Sequence, residues 1–206
     1  MKVVKAGNKA VKLAAKMVLN GGVIVYPTDT VYGIGCDPTN KKAVRRLIEI
    51  KGRESKPMPV LFSNIKSALN SVRLSKQGVM LARKFWPGAL TIVGIKKNEN
   101  IVDEVTAGSN LLGVRVPKNN IIVRIMELSL GMIVGTSANK SGMPSPKSAD
   151  EVLKYLPNEY DLLIDGGLTL LQKESTVVDA STTKVKVLRE GCIKKEEVVA
   201  ALGSGW

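Results

Sequence analysis

The run Val23-Ile24-Val25-Tyr26 is followed at once by Pro27, and that junction limits what the chain can become. A short, uninterrupted apolar run reads as a strand buried on both faces, the kind found inside α/β sheets. Proline removes a backbone donor and ends the ladder. The next residues, Thr28-Asp29-Thr30-Val31-Tyr32-Gly33-Ile34-Gly35, place hydroxyls and a carboxylate on backbone released from a central strand. Two glycines among them permit a tight turn or a close approach to a ligand. The stretch reads either as a pocket rim or as ordinary turn chemistry, and other segments must decide between them.

Helix and strand signals alternate along the rest of the chain. Asn8 is placed to cap a helix carrying Val11, Ala14 and Val18 that stops at Asn20-Gly21. Thr39 or Asn40 caps a second, with Val44, Leu47 and Ile48 on one face, ending near Lys51-Gly52. Further helices are predicted after Ser63, over 76–86, over 121–130, and over 195–202. Ser148 and Glu151 form a capping box for another that runs through Leu156. Strands are predicted over 59–62, 90–95, 111–116, 132–135, 162–165, 176–180 and 185–188, the last two joined by a hairpin at Ser181-Thr182-Thr183-Lys184. The alternation implies an α/β fold on a mixed sheet flanked by helices, with residues 1–206 forming a single domain.

Composition narrows the chemistry. Histidine is absent, which excludes a Ser-His-Asp triad, a His-based zinc site and histidine as general base. Cys36 and Cys192 fit no metal-ligand spacing and read as reduced thiols. With 31 Lys and Arg against 18 acidic residues, the formal charge of +13 favours polyanionic partners such as nucleotides and RNA. No apolar run approaches the roughly 18 residues of a membrane span. Lysines interrupt the N-terminal region, so a cytoplasmic protein without membrane contact is expected.

Three strand ends release small hydroxylated residues: Thr28 and Thr30, then Thr136-Ser137-Ala138-Asn139, then Ser175-Thr176. Ligands of open α/β sheets sit where strand ends meet loops, and such groups can orient an anion or an amino acid, although each alone is also a plausible cap or turn. The basic segment Lys51-Gly52-Arg53 with Lys56 follows a helix C-terminus, where cations are favoured, and reads either as a solvated helix end or as a phosphate clamp. Arg115 and Arg189 stand at strand ends, where a charge faces a ligand or a carboxylate rather than empty core. Neither the P-loop nor the dinucleotide glycine pattern is present, so any ATP must be held by side chains from scattered loops.

Taken together, Pro27-Thr28-Asp29-Thr30-Val31-Tyr32-Gly33, Lys51-x-Arg53, Ser137-x-Asn139, Ser141-Gly142-x-Pro144-Ser145, Ser175-Thr176-Val177-Val178-Asp179 and Leu188-Arg189-x-Gly191 resemble the YrdC-like threonylcarbamoyl-AMP synthase family in its short, single-domain form. The resemblance implies a twisted α/β fold with a deep basic central cavity. It implies that L-threonine, bicarbonate and ATP give threonylcarbamoyl-AMP and pyrophosphate, a step towards threonylcarbamoyladenosine in tRNA. By the same resemblance Thr30, Tyr32, Arg115, Ser137 and Ser175 hold threonine or its carbamate. Lys51, Arg53, Lys56, Asn139, Lys147 and Arg189 surround ATP, with Lys51 and Arg53 catalytic. Mg2+ on the ATP phosphates is the expected cofactor, with no metal-binding residues on the protein. A downstream tRNA threonylcarbamoyl transferase complex is the expected partner, alongside tRNA or double-stranded RNA. Leu61 or Phe62 stands where many relatives place a histidine, and Leu111 where they place a threonine. The alternative from a different class is a non-catalytic RNA-binding protein using a basic concave surface, which would leave Ser137, Asn139 and Ser175 without a role.

Overall fold

The computed structural model describes residues 1–52, 56–156 and 159–203. Its strands are β1 (Lys2–Lys5), β2 (Ile24–Tyr26), β3 (Gly33–Gly35), β4 (Val60–Phe62), β5 (Val72–Arg73), β6 (Leu90–Lys96), β7 (Leu111–Arg115), β8 (Met132–Val134), β9 (Thr136–Ser137), β10 (Leu162–Asp165), β11 (Thr176–Asp179) and β12 (Lys186–Arg189). The helices are α1 (Asn8–Leu19), α2 (Lys41–Lys51), α3 (Ile65–Ser71), α4 (Lys76–Phe85), α5 (Asp103–Thr106), α6 (Asn120–Glu127), α7 (Ala149–Tyr155) and α8 (Lys195–Leu202).

The α/β expectation holds, but the strands divide between two mixed sheets instead of sharing one. The first has the order β1-β10-β2-β3-β9; the second has β12-β11-β6-β7-β4-β8, with β5 paired to β6. β1, β10 and β2 run parallel, and β3 returns antiparallel beside β2. One apolar cluster includes Val25, Leu47, Leu90 and Val114; a smaller one packs Ala14 and Val18 of α1 against Ile122 and Ile125 of α6 and Ile24 of β2. The two sheets meet covalently at Gly135, the single residue between β8 and β9, whose N–H donates to the Pro59 carbonyl at 2.8 Å.

Local chemistry explains most boundaries. The Asn40 side chain accepts the Ala43 N–H and starts α2, which Gly52 ends in the left-handed region at φ 58°. Ser75 and Asn119 cap α4 and α6 in the same way. Two cap expectations are corrected. Asn8 is the first residue of α1 and Gly7 holds the cap position, so no side chain caps that helix. Ser148 does accept the Glu151 N–H, but the Glu151 carboxylate reaches the Lys147 N–H and not that of Ser148, so the box is only half formed.

Gly33 and Gly35 do not form a turn; they are the ends of β3, and Gly33 borders a cavity while Gly35 packs against backbone. Gly35 lies where a Cβ would come within 1.8 Å of the Val134 carbonyl oxygen and 3.0 Å of the Tyr26 hydroxyl. The same carbonyl accepts the Tyr26 O–H at 2.9 Å, so nothing there can give way cheaply. Gly35→Ala is therefore expected to cost at least about 2 kcal/mol of stability, read as a lowered urea midpoint with unchanged slope.

Candidate active site

Pro27 turns the chain out of β2, and the freed segment folds on itself through its own hydroxyls. The Thr28 hydroxyl donates to the Val31 carbonyl at 2.7 Å and accepts the Thr30 N–H at 3.0 Å. It also lies 2.9 Å from the Thr30 hydroxyl. This local network presents Asp29 and Thr30 to Arg115, which arrives from the end of β7 in the other sheet. The guanidinium donates from Nη2 to Asp29 Oδ1 at 2.6 Å, from Nη1 to the Thr30 hydroxyl at 3.0 Å, and from Nε to the Gly88 carbonyl at 2.8 Å. Both members of the Asp29–Arg115 pair are buried. Three of the five guanidinium N–H groups are thereby spent, leaving others on Nη1 and Nη2 for a ligand.

A cavity of about 470 Å³ opens between the two sheets beside this pair. Thr28, Thr30 and Tyr32 line it from one sheet, Arg115, Ser175 and Arg189 from the other, and Ser137 from the strand just past the junction. Its wall is mixed in character. Among the described lining residues the cations are Arg115 and Arg189 and the carboxylate is Glu174, while Met58, Val93, Val177 and Leu188 supply apolar surface. Leu61 and Leu111 line the cavity as well, whereas Phe62 is buried in the core.

The segment after Gly135 is held by Lys51, the last residue of α2. Its buried ammonium donates to the Ser137 carbonyl and lies 3.5 Å from Asn139 Oδ1. Asn139 in turn donates from Nδ2 to the Met143 carbonyl. Thus Lys51, Ser137 and Asn139, three residues named from the sequence, form one contiguous unit. On the far side, the Ser175 hydroxyl lies 2.9 Å from that of Thr91, and Arg189 Nη2 donates to the Ser175 carbonyl at 2.9 Å.

The remaining named residues are placed less centrally. The Tyr32 hydroxyl is taken up by the backbone, donating to the Gly167 carbonyl at 2.8 Å and accepting the Gly166 N–H at 3.0 Å. Burial pushes its pKa up, partly opposed by the Gly166 N–H, so the phenol stays neutral. Burial likewise raises the Tyr26 phenol. Lys147 is half-buried, and its backbone bonds Glu151 and Thr169. Lys56 is exposed, next to Pro57 on the cavity rim. Arg53 lies outside the described residues.

Sequence reasoning missed Glu174 and Thr91. Glu174 sits in Gln172-Lys173-Glu174, which reads as a charged turn; its place directly before Ser175-Thr176 was the available signal. The carboxylate bonds Arg189 Nη1 at 2.6 Å and accepts the Ser145 hydroxyl. Among the described residues no group of three or more His, Cys, Asp or Glu is placed to hold a metal ion, and no helix is long and apolar enough to cross a membrane.

Comparison with known proteins places these features in a family. The Sua5/YciO/YrdC family model, described as "Telomere recombination", matches residues 16–191. A curated protein of Pyrococcus abyssi named threonylcarbamoyl-AMP synthase is 34% identical over 195 residues, covering 94% of this chain and 57% of that protein. A Methanocaldococcus jannaschii protein named putative threonylcarbamoyl-AMP synthase is 35% identical over 186 residues, covering 90% of this chain and 87% of that one. The crystal structure of P. abyssi Sua5 complexed with L-threonine superposes with a TM-score of 0.90 at 33% identity, covering 98% of this chain and 59% of that one. The chain thus spans less than two thirds of the Pyrococcus protein's length.

Asp29→Ala leaves the Arg115 guanidinium buried without its counter-charge. It is expected to cost about 3–5 kcal/mol, and Asp29→Ala with Arg115→Met should recover part of that loss in the same denaturation measurement.

Proposed function

We propose, on the premise that this chain belongs to the Sua5/YciO/YrdC family, that it is an L-threonylcarbamoyladenylate synthase. The observation that carries this reading is the pre-oriented Arg115 fork, fixed by Asp29, Thr30 and the Gly88 carbonyl and opening on a cavity that also holds Ser137 and Ser175. A guanidinium held this way suits a carboxylate, and the neutral hydroxyls around it suit the remaining polar atoms of an amino acid or its carbamate.

The chemistry asks for positioning rather than for a histidine. The amine of threonine attacks the carbon of bicarbonate, and loss of water leaves a carbamate. A carbamate oxygen then attacks the α-phosphorus of ATP, forming the new P–O bond as the bond to the departing pyrophosphate breaks. The nucleophile belongs to the substrate, so the protein's task is to align it and to neutralise charge. In this reading Arg115, Thr30, Ser137 and Ser175 orient the threonine end, and Arg189, Lys56, Asn139 and Lys147 are assigned to the nucleotide. Lys51 and Arg53 are assigned to the phosphates on the family resemblance, and Lys51 also fixes the Ser137 backbone.

Mg2+ fits best as a counter-ion carried on the ATP phosphates, since the described cavity wall offers Glu174 as its carboxylate and that group is engaged by Arg189. The product would pass to a tRNA threonylcarbamoyl transferase in the cytoplasm. Direct contact with tRNA has the net charge of +13 as its support.

The test is pyrophosphate release from ATP by purified protein with each substrate omitted in turn. Release should require both threonine and bicarbonate and yield a threonylcarbamoyl-AMP mass; a folded protein that binds RNA but gives no threonine-dependent release would replace this reading with the binding one. Arg115→Lys, which keeps the charge and loses the fork, should lower kcat/KM for threonine by about 100-fold.

A further inference from the structure

Both arginines that line the cavity are paired with a carboxylate, and the two pairs differ in burial. The Asp29–Arg115 pair is buried, with side-chain exposures of 3% and 6%, whereas Glu174 and Arg189 are 36% and 48% exposed. Breaking the first strands a charge in the protein interior; breaking the second returns both groups to water at little cost. The first pair is therefore a fixture and the second is exchangeable.

Glu174 is also well set to leave and return. Its Oε2 bonds Arg189 Nη1 at 2.6 Å while Oε1 accepts the Ser145 hydroxyl. Its own backbone is anchored independently, the Glu174 carbonyl accepting the Cys192 N–H at 2.9 Å. Arg189 keeps a second hold through Nη2 on the Ser175 carbonyl at 2.9 Å, so it stays in place when Glu174 departs. The Nη1 face that Glu174 occupies is the part of Arg189 that a phosphate oxygen would take.

We propose that Glu174 is an intramolecular competitor for the anion site at Arg189, so that polyphosphate enters and leaves the cavity by exchange with the Glu174 carboxylate. This rests on the reading of Arg189 as a nucleotide-phosphate ligand. A tethered anion lowers the fraction of Arg189 open to any phosphate and raises the apparent Kd by the inverse of that fraction. Its consequence for turnover is release: as pyrophosphate loosens, Glu174 takes back the arginine and the product does not rebind.

The sign of one substitution decides the matter. Glu174→Gln keeps the size of the side chain and an acceptor for Ser145 but removes the competing charge. If Glu174 competes, calorimetric titration with inorganic pyrophosphate should give about fivefold tighter binding to the variant than to wild type, with the Kd for L-threonine unchanged. Ser145→Ala, which loosens Glu174 without removing it, should shift pyrophosphate affinity the same way by less. If Glu174 instead merely orients Arg189, Glu174→Gln weakens pyrophosphate binding. That result, an unchanged Kd, or no pyrophosphate binding by wild type would each overturn the proposal. Because binding is measured without turnover, its failure is separate from failure of the substrate-omission assay.

Discussion

The ion pair between Asp29 and Arg115 joins the two sheets where they face the cavity. One partner follows β2 in the first sheet and the other ends β7 in the second, 86 residues apart in sequence. Neither charge is tolerable alone at such burial, so each sheet's position is a condition of the other's. The Thr28 and Thr30 hydroxyls and the Gly88 carbonyl complete the arrangement, so that the arginine has its orientation before any ligand arrives. Pre-orientation of this kind removes reorganisation from the binding step, which under the proposed synthase reading is the contribution left to the protein, the nucleophile being brought by the substrate.

The second fixed point is Lys51. An ammonium at the end of α2 reaches the backbone of Ser137 and the side chain of Asn139, and the Lys51 carbonyl accepts the Ser141 N–H at 3.2 Å. A helix terminus, a short edge strand and the loop beyond it are thereby one polar assembly. The loop rich in Gly and Pro between residues 140 and 147 is pinned at several points: Ser145 to Glu174, and the Pro146 carbonyl to the Tyr32 N–H at 2.8 Å. The Pro27–Gly33 segment, the residues after β9 and the approach to β11 consequently converge on one space.

The features that could be read from the sequence obey physical rules of short range. Helical periodicity closed by Asn40 and Gly52 located α2, and the pattern over 195–202 located α8. Arg115 and Arg189 were recognisable because a charge at a strand end needs a partner or a ligand. β1 escaped because Lys-Val-Val-Lys lacks the apolar run of a buried strand; it is an edge strand with only Val4 partly covered. β3 and β9 escaped because each offers one strand-favouring residue, Ile34 or Thr136, in a run of three or two residues otherwise made of Gly and Ser, and only tertiary pairing makes them strands. The partnership of Arg115 with Asp29, and that of Glu174 with Arg189 and Ser145, depends on which strands become neighbours, which no local pattern encodes.

The passage from β8 to β9 through Gly135 alone has a bearing on how this architecture tolerates change. A single residue adds only about 3.8 Å per Cα step, so the ends of β8 and β9 are held close by covalent bonds in addition to the apolar cluster that the two sheets share. Substitutions that swell or shrink either apolar core can tilt helices on the outer surfaces while this distance persists. The junction is thereby a fixed point of the cavity wall beside Ser137, one that a substitution in the apolar clusters does not lengthen.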